Sequence, residues 1–200
     1  MEKGIYTKDN VGNGVFIFTE NRQFVEPKFW GLHEENEKAL CVVIVNDGNA
    51  LFFYPEDVDN DTHILLDWDK DQTGKQHPDI EDGMRDTDGL ANTKALADTG
   101  SEIAKKVLVL NLGGLQWHIP TLQEIHLGYN NKIMLNASLG ISCKQPIKDS
   151  WYWSSTRKNN KYNFVLDWGG GDGGYDHHTA AIGSVPFPLS LLIHFNLSTV

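Results

Sequence analysis

The feature that most constrains the fold is a pair of apolar segments separated by a tight turn. Residues 39–45 and 51–54 are rich in β-branched and aromatic side chains, which favour strands. Between them, Asp47-Gly48 tolerates the positive φ angles that a β-hairpin turn requires. Two further strands are predicted upstream, at residues 15–19 and 23–25. The sequence therefore predicts a short β-rich N-terminal region over residues 1–55.

An acidic loop region is predicted at residues 56–88. Carboxylates far outnumber basic side chains there, and the whole chain carries a net charge of −10. Such a charge repels phosphate groups and anionic membrane surfaces, so no nucleic-acid partner is expected. No apolar stretch approaches the roughly 20 residues of a membrane span, so membrane insertion is not expected either.

Alternating carboxylates within the acidic region raise the question of a cation site. Asp57, Asp59 and Asp61 have a spacing that can chelate Ca²⁺, and residues 67–71 repeat that spacing. Neither run fits the EF-hand pattern, since the first has no glycine at its sixth position. A solvated acidic loop is the favoured interpretation and a weak Ca²⁺ site is the alternative. No other cofactor is expected.

Two helices are predicted after the acidic region. Apolar side chains recur at helical spacing from residue 92 to about residue 112, with a break expected at residues 99–101. The second helix begins at Thr121, which forms a capping box with Glu124. In a capping box, each of the two side chains accepts a hydrogen bond from the other residue's backbone N–H. This helix is predicted to run towards Tyr129.

The last fifty residues are predicted to form short strands and long loops. Strands are indicated at residues 151–156, 162–168 and 189–195. The glycine-rich run at residues 169–174 is not expected inside a regular strand, because glycine weakens a strand and packs no side chain. Cys41 and Cys143 are predicted to be free and mostly buried thiols.

Three short segments carry a family resemblance. Residues 88–93 read DGLANT, residues 117–125 read WHIPTLQEI, and residues 152–156 read YWSST. In this order they resemble a C-type-lectin-like domain family of gut Bacteroidetes and their phages. That family is similar to the variable proteins of diversity-generating retroelements and, more distantly, to the fold of formylglycine-generating enzymes. The resemblance covers residues 80–200 well and residues 10–55 loosely.

The resemblance implies an α+β fold of the C-type-lectin-like type. In it, two helices pack on small twisted antiparallel sheets, and long loops display a ligand-binding face. Residues 89–200 would form this domain, and residues 1–55 would serve as an anchor or in oligomerisation. The family's usual Arg-rich last strand is replaced here by the apolar residues 187–193, which are expected to pack against a partner chain.

Residue types within the three motifs predict structural roles. Trp117, Trp151 and Trp153 are interpreted as core aromatics that fix the junction between helices and sheet. The hydroxyl groups of residues 154–156 are expected to bond backbone groups of the adjacent loop. Neither group has a base positioned by the sequence, so no nucleophile is predicted among them.

The candidate ligand-binding surface lies between residues 159 and 178. Asparagine and tyrosine offer adaptable hydrogen bonds and contact area at low entropic cost, and glycine allows a ligand to approach closely. The predicted contact residues are Asn159, Asn160, Tyr162, Trp168, Asp172, Tyr175, Asp176, His177 and His178. A solvated hairpin and a flexible glycine loop are the alternatives. Metal binding at residues 176–178 is disfavoured, because adjacent histidines in an extended segment point to opposite faces.

The predicted function is binding and display without catalysis. The resemblance implies a phage virion protein, such as a fibre, decoration or receptor-binding component, that contacts a host-surface glycan or protein as a homo-oligomer. The alternatives are a structural assembly protein without a ligand and a bacterial surface adhesin. The bacterial cell surface and the cytoplasm are the alternative locations.

Catalysis is not expected from the sequence. Formylglycine-type chemistry needs a pair of cysteines late in the chain, and Cys143 is the single cysteine of the C-terminal half. A metal-dependent enzyme that uses Asp176 and His177, or the acidic region, is the remaining catalytic alternative. Histidine and carboxylate are ordinary Zn²⁺ ligands.

Overall fold

The computed structural model describes residues 4–32, 38–55, 65–67, 69–177 and 192–196, with the backbone alone for residues 177 and 192–196. Within them the chain is an α+β structure with two antiparallel sheets and several helices. The predicted α+β class is confirmed, whereas its C-type-lectin-like type stays a prediction.

Nine strands lie in the described residues. They are β1 (Ile5–Tyr6), β2 (Gly14–Thr19), β3 (Phe24–Val25), β4 (Ala39–Asn46), β5 (Asn49–Phe53), β6 (Trp151–Arg157), β7 (Tyr162–Asp167), β8 (Gly173–His177) and β9 (Leu192–Asn196). Six of them form the larger sheet, in the order β1-β3-β2-β4-β5-β9, and the smaller sheet has the order β6-β7-β8. Neighbouring strands in both sheets are antiparallel.

The predicted hairpin between β4 and β5 is confirmed. Asn46 pairs with Asn49 at the end of the ladder, which leaves a two-residue turn. Asp47 has a φ of 49° and Gly48 a φ of 78°. Positive φ at both turn residues matches the twist of the flanking strands.

The last described strand belongs to the sheet of its own chain. β9 pairs antiparallel with β5, and Leu51 lies opposite His194. The predicted strand at residues 189–195 is therefore confirmed over β9. Its described backbone partner is β5, and a contact of this strand with a partner chain stays a prediction.

The helices lie on both faces of the larger sheet. They are α1 (Ile80–Gly83), α2 (Gly89–Thr99), α3 (Glu102–Leu108), α4 (Leu122–Asn130) and α5 (Lys132–Ile141), together with a 3₁₀ helix, η1 (Pro27–Leu32). The capping box at the start of α4 is present as predicted. The expected break between α2 and α3 is also present, because Gly100 adopts a left-handed φ of 104° and ends α2.

Alternating side chains of β4 pack in two different hydrophobic cores. Val43 faces the first core, which includes Ile103 and Val107 of α3. Val42 and Ile44 face the second core, which is built with α4, α5 and the smaller sheet. Burial on both faces explains why β4 reads as a continuous apolar run rather than an alternating one.

Residues before and after the acidic region share these two cores. The first core joins β2 and β4 to α2, α3, Trp117 and Trp153, and the second joins β4 and β5 to residues as late as Trp168. The predicted boundary at residue 55 therefore does not separate two cores. A role of the N-terminal strands as an anchor or in oligomerisation stays a prediction.

The two cysteines differ in their surroundings. Cys41 is buried and free, and its burial raises the pKa of its thiol well above the usual range. Cys143 is free but exposed, so the prediction that both thiols are mostly buried is wrong for this residue. The reason is its position just past the end of α5, outside both cores.

The end of α5 supplies a test of local conformation. Cys143 has a left-handed φ of 58°, and Lys144 N–H donates to the Leu139 carbonyl over 2.8 Å, the arrangement that usually has glycine at this position. We expect Cys143→Gly to raise the free energy of unfolding by roughly 0.5–1 kcal/mol, because a Cβ in this conformation is strained. Urea unfolding measures the effect. Cys143→Ala is the control and should give no gain; equal stabilities of the two variants would contradict the prediction.

Candidate functional site

The first and second family motifs meet at the start of α2. The Asp88 carboxylate accepts a hydrogen bond from Ala91 N–H over 3.0 Å and thereby caps α2. The Thr93 hydroxyl donates to the Gly89 carbonyl over 2.7 Å and accepts from Ile119 N–H over 2.9 Å. This side chain therefore joins residues 88–93 to residues 117–125.

The third motif is tied to the second by its hydroxyl residues. Ser155 N–H donates to the Pro120 carbonyl over 2.7 Å, and Thr156 Oγ1 accepts from Leu122 N–H over 2.9 Å. Ser154 Oγ donates to the Phe164 carbonyl over 2.7 Å. Ser155 Oγ also donates to the Pro120 carbonyl over 3.2 Å. The hydroxyls therefore bond backbone groups as predicted, but their partners lie in the second motif and in β7 rather than in the adjacent loop. The three motifs therefore form one structural junction.

A buried histidine–carboxylate pair lies inside this junction. His118 Nε2 lies 3.0 Å and 3.1 Å from the two carboxylate oxygens of Glu124, which also accepts from Thr121 N–H over 2.7 Å. A Cβ on Gly89 would come within 2.3 Å of the His118 ring, so glycine is required there. Both partners are buried, and the Glu124 carboxylate also caps the start of α4.

Two of the three motif tryptophans are core residues, as predicted. Trp117 and Trp153 are buried in the first core. Trp151 is instead 36% exposed at the start of β6, so its assignment to the core is wrong. Its neighbour Tyr152 points to the opposite face of the strand and is buried in the second core.

The predicted contact residues of the β6–β7 turn have internal roles. Asn159 Oδ1 accepts from the N–H groups of Lys161 and Tyr162 over 2.9 Å and 3.1 Å, which closes the turn. Asn160 is exposed, but its side-chain oxygen accepts from Gln76 Nε2 over 2.9 Å. Asn159 is therefore a turn-forming residue, and the side-chain oxygen of exposed Asn160 is bonded within the protein.

Part of the acidic region braces the same turn. Gln72 N–H donates to the Asn160 carbonyl over 3.1 Å, and His77 N–H donates to the Arg157 carbonyl over 2.9 Å. The Arg157 guanidinium donates to the Gln72 carbonyl, and the Gln72 side chain donates to the amide oxygen of Asn163. Burial lowers the pKa of Arg157, with Asp71 acting against that shift.

The carboxylates of the second acidic run pair with lysines. Lys70 lies 3.0 Å from Asp67, and Lys161 lies 2.8 Å from Asp71. Within the ranges described above, no group of three histidine, cysteine or acidic residues is arranged to hold a metal ion. Asp57, Asp59 and Asp61 lie outside the described residues, so the weak Ca²⁺ site predicted there stays a prediction.

Trp168 belongs to the core rather than to a contact surface. Its side chain is 1% exposed and makes edge-on contacts with the rings of Tyr129 and Tyr152. A Cβ on Gly128 would lie 2.8 Å from the Trp168 ring, which shows how closely α4 approaches it. The prediction that Trp168 contacts a ligand is therefore wrong, because the ring fills the space between α4 and the smaller sheet.

The glycine-rich run is only partly a loop. Asp167 accepts from the N–H groups of Gly169 and Gly170 over 2.9 Å and 3.1 Å and forms a turn. Gly173 and Gly174 then begin β8, so the exclusion of this run from a strand is wrong at its end. β8 is at the edge of the sheet, where glycine is better tolerated than in a central strand.

Exposed apolar side chains surround these two glycines. Tyr175 is 52% exposed, and a Cβ on Gly174 would lie 3.5 Å from the ring of half-exposed Trp151. A Cβ on Gly173 would lie 3.6 Å from exposed Ile80 of α1. Lys158 Nζ lies 3.2 Å above the centre of the Tyr175 ring. We call Ile80, Trp151, Lys158 and Tyr175 the β8 patch.

The β8 patch wraps around the edge of the smaller sheet. Phe164 lies opposite Tyr175 and Val165 lies opposite Gly174, so Tyr175 and Gly174 belong to opposite faces. Trp151 contacts the Gly174 side, whereas Tyr175 lies on the other face. Exposed apolar side chains therefore flank a thin strand edge whose two glycines carry no side chain.

The remaining predicted contact residues lie near the patch. Asp172 is exposed, Asp176 is half-buried, and Tyr162 is half-buried with its ring edge-on to Tyr175 at 6.0 Å. For His177 the structure describes the backbone within β8, and His178 lies outside the described residues. The structure thus brings Tyr162, Tyr175 and the two carboxylates to one edge, together with Trp151, Lys158 and Ile80, which the sequence prediction missed.

Apart from the β8 patch, a concavity lies between α4 and the β4–β5 turn. It has a volume of about 350 Å³, an aliphatic floor that includes Ile44 and Leu51, and a rim of neutral hydrogen-bonding side chains. The rim residues are Asn46, Asn49, Gln123, His126 and Asn130. The last three recur at helical spacing along α4, a signal that the sequence carries. Amides both donate and accept hydrogen bonds, and the lining also includes Glu124, so the concavity offers neutral groups together with one acidic residue.

Comparison with protein-family models, with curated proteins and with solved structures finds no significant match to this chain. The resemblance to the C-type-lectin-like family therefore stays a prediction that rests on the three motifs. In the part of the chain that the structure describes, no helix has both the length and the apolar character needed to cross a bilayer.

Proposed function

We propose that this chain is a non-catalytic binding and display protein whose contact surface is the β8 patch. The observation that carries the proposal is the gathering of exposed Trp151, Tyr175 and Ile80 around two glycines of an edge strand. Tryptophan and tyrosine provide large, rigid contact areas and are enriched at binding surfaces.

The exposure of Trp151 supports a role in contact rather than in folding. It is 36% exposed, whereas the other tryptophans with described side chains are at most 6% exposed. A large aromatic ring that is exposed to solvent does not contribute the stabilisation that its burial would give. A ligand that covers this ring would recover part of it.

Polar groups around the patch would orient a ligand. Lys158 lies over the Tyr175 ring in a cation–π contact, so its ammonium group is held at the patch. Asp172 and the amide nitrogen of Asn160 add an acceptor and a donor nearby. Aromatic faces with a few directional polar groups suit a sugar or a protein surface.

The proposed ligand is a glycan or a protein on a host cell surface, and the proposed setting is a virion. The aromatic faces and polar groups of the patch suit either class of ligand, and the host-cell and virion setting rests on the motif resemblance to the C-type-lectin-like family. A structural assembly protein is the second candidate, and it is favoured by a separate apolar helix face that is described in the next subsection.

Binding to cells tests the proposal. We expect the double variant Trp151→Ala, Tyr175→Ala to lose about 30-fold or more in affinity for host cells, since one aromatic anchor alone contributes on the order of 2 kcal/mol. Binding of labelled protein to Bacteroides-type cells, followed by flow cytometry, measures the loss. Val109→Ala is the matched control, because Val109 is 79% exposed outside the β8 patch.

The same assay separates the two ligand classes. Periodate oxidation of the cells should abolish binding if the ligand is a glycan, whereas protease treatment should abolish it if the ligand is a protein. Equal binding by the double variant and the wild type would refute the β8 patch as the contact surface. Wild-type protein that binds neither cells nor a glycan array would refute the binding function itself.

A further inference from the structure

We propose that the exposed face of α5 is the docking surface for a second copy of this chain. The face consists of Ile133, Met134, Ala137, Gly140 and Ile141, and we call it the α5 face. The proposal does not depend on the β8 patch, because it rests on a different helix and on different observations.

The α5 helix is apolar on both of its sides. Leu135 and Leu139 are buried in the second core. On the other side Ile133 is 85% exposed, and Met134 and Ile141 are also exposed. A surface helix normally carries polar side chains opposite its buried stripe. An aliphatic face there leaves apolar surface in water that an interface would cover.

After its first residue, Lys132, the same helix lacks charged side chains. From residue 133 to residue 143 the sequence contains none, although 22% of the whole chain is charged. Lys132 and Lys144 stand at the two ends of this stretch. Depletion of charge is the compositional mark of the central part of a protein interface.

A second copy fits this face because the face is symmetric about Ala137. Ile133 and Ile141 each lie four residues from Ala137. Two α5 helices that cross antiparallel at Ala137 would therefore place each Ile133 beside Ile141 of the other copy, as an isologous two-fold contact requires. The small side chains of Ala137 and Gly140 would let the two helices approach closely.

The charge of the chain restricts where on its surface two copies can meet. Each copy has a net charge of −10, so two copies repel each other wherever acidic surfaces meet. The α5 face is free of acidic groups, so apolar contact there is opposed by long-range repulsion alone. We therefore expect association to strengthen as the salt concentration rises.

The size of the α5 face sets the expected strength. A ten-residue helix is roughly 15 Å long, and its contact area falls short of the roughly 800 Å² per partner of a standard interface. Leu32, an exposed apolar residue, belongs to η1, a helix that packs against α5. A reversible dimer with a dissociation constant of about 10–100 µM is the expected outcome.

Sedimentation velocity of the full chain tests the proposal over concentrations from about 2 to about 500 µM. The wild type should shift from monomer to dimer, and the variant Ile133→Glu, Ile141→Glu should remain monomeric throughout. The single variant Ile133→Glu should already weaken the dimer, and Val109→Glu is its matched control, because it places one charge at a similarly exposed aliphatic position outside the α5 face. Circular dichroism checks that each variant is folded.

Disulfide trapping tests the two-fold geometry. On a Cys143→Ser background, Ala137→Cys should form a covalent dimer under mild oxidation, and Asp98→Cys, an exposed position of α2, should not. Cys143 itself should not link the copies, because two such residues would lie roughly 18 Å apart along an antiparallel pair. Equal cross-linking of Ala137→Cys and Asp98→Cys would overturn the arrangement.

Other occupants of the face give distinct results. A wild-type chain that stays monomeric at the highest concentration overturns the proposal. If the thiol of Ile133→Cys is then also protected from alkylation in that monomer, the face is covered by another part of the same chain. Dimerisation that survives Ile133→Glu, Ile141→Glu also overturns it, because the second copy would dock elsewhere.

Discussion

Replacing Trp168 by alanine is expected to lower the free energy of unfolding by about 3–5 kcal/mol, the usual cost of removing a large aromatic side chain from a core. The ring is buried between Tyr129, Tyr152 and the closely approaching Gly128, so its loss leaves a cavity that α4 cannot easily fill. Urea unfolding followed by circular dichroism measures the change.

Trp151→Ala provides the contrast for this prediction. Its ring is half-exposed, so truncation should lower the free energy of unfolding by about 1 kcal/mol or less. The effects on binding should be reversed: Trp168→Ala should bind cells normally per folded molecule, and Trp151→Ala should bind weakly. A stable Trp168→Ala variant that loses binding would restore Trp168 as a contact residue.

The burial of Trp168 could have been predicted from the sequence pattern. The predicted strand at residues 162–168 alternates, so Trp168 shares a face with Phe164 and Leu166. The structure places all three in the second core. The neighbouring glycines suggested an open loop and outweighed this alternation. Trp168 is the first residue of the turn that follows β7, and its side chain still packs in the second core.

Turns and helix ends that are specified by residues close together in sequence were predicted. The hairpin at Asp47-Gly48 and the capping box of Thr121 and Glu124 were both found, because each is specified by residues within a few positions of one another. The break at Gly100 was found for the same reason. Such features need no knowledge of the tertiary fold.

Helix α5 was missed because its periodicity is hidden. Leu135 and Leu139 mark the buried stripe, but Ile133, Met134 and Ile141 occupy exposed positions with equally apolar side chains. A search for alternation between apolar and polar residues then finds no helical period. The same property that hid the helix is the one on which the proposed interface at its outer face rests.

The β8 patch could not be predicted because it is assembled across the chain. Ile80, Trp151 and Tyr175 come from three separate elements, and their proximity depends on the packing of α1 against the smaller sheet. Asn160 is likewise held by Gln72 and Gln76, which lie far away in sequence. Long-range contacts of this kind leave no spacing pattern in the sequence.

Removal of the Glu124 side chain is expected to be as costly as the loss of Trp168. The carboxylate accepts from Thr121 N–H over 2.7 Å and lies 3.0 Å from His118 Nε2, and all three residues are buried. Glu124→Ala would leave both groups without a partner away from water. Breaking a buried, hydrogen-bonded pair in this way typically costs about 3–5 kcal/mol.

The adjacent Gln123 supplies the control, because it is exposed on the same turn of α4. Gln123→Ala should change the free energy of unfolding by no more than about 0.5 kcal/mol. Because Glu124 lies where the first two family motifs meet, its loss should loosen α2 and α4 together. Hydrogen exchange of their amides should therefore rise in both helices. Faster exchange confined to α4 would mean that Glu124 only caps its own helix, and the motifs would then not act as one junction.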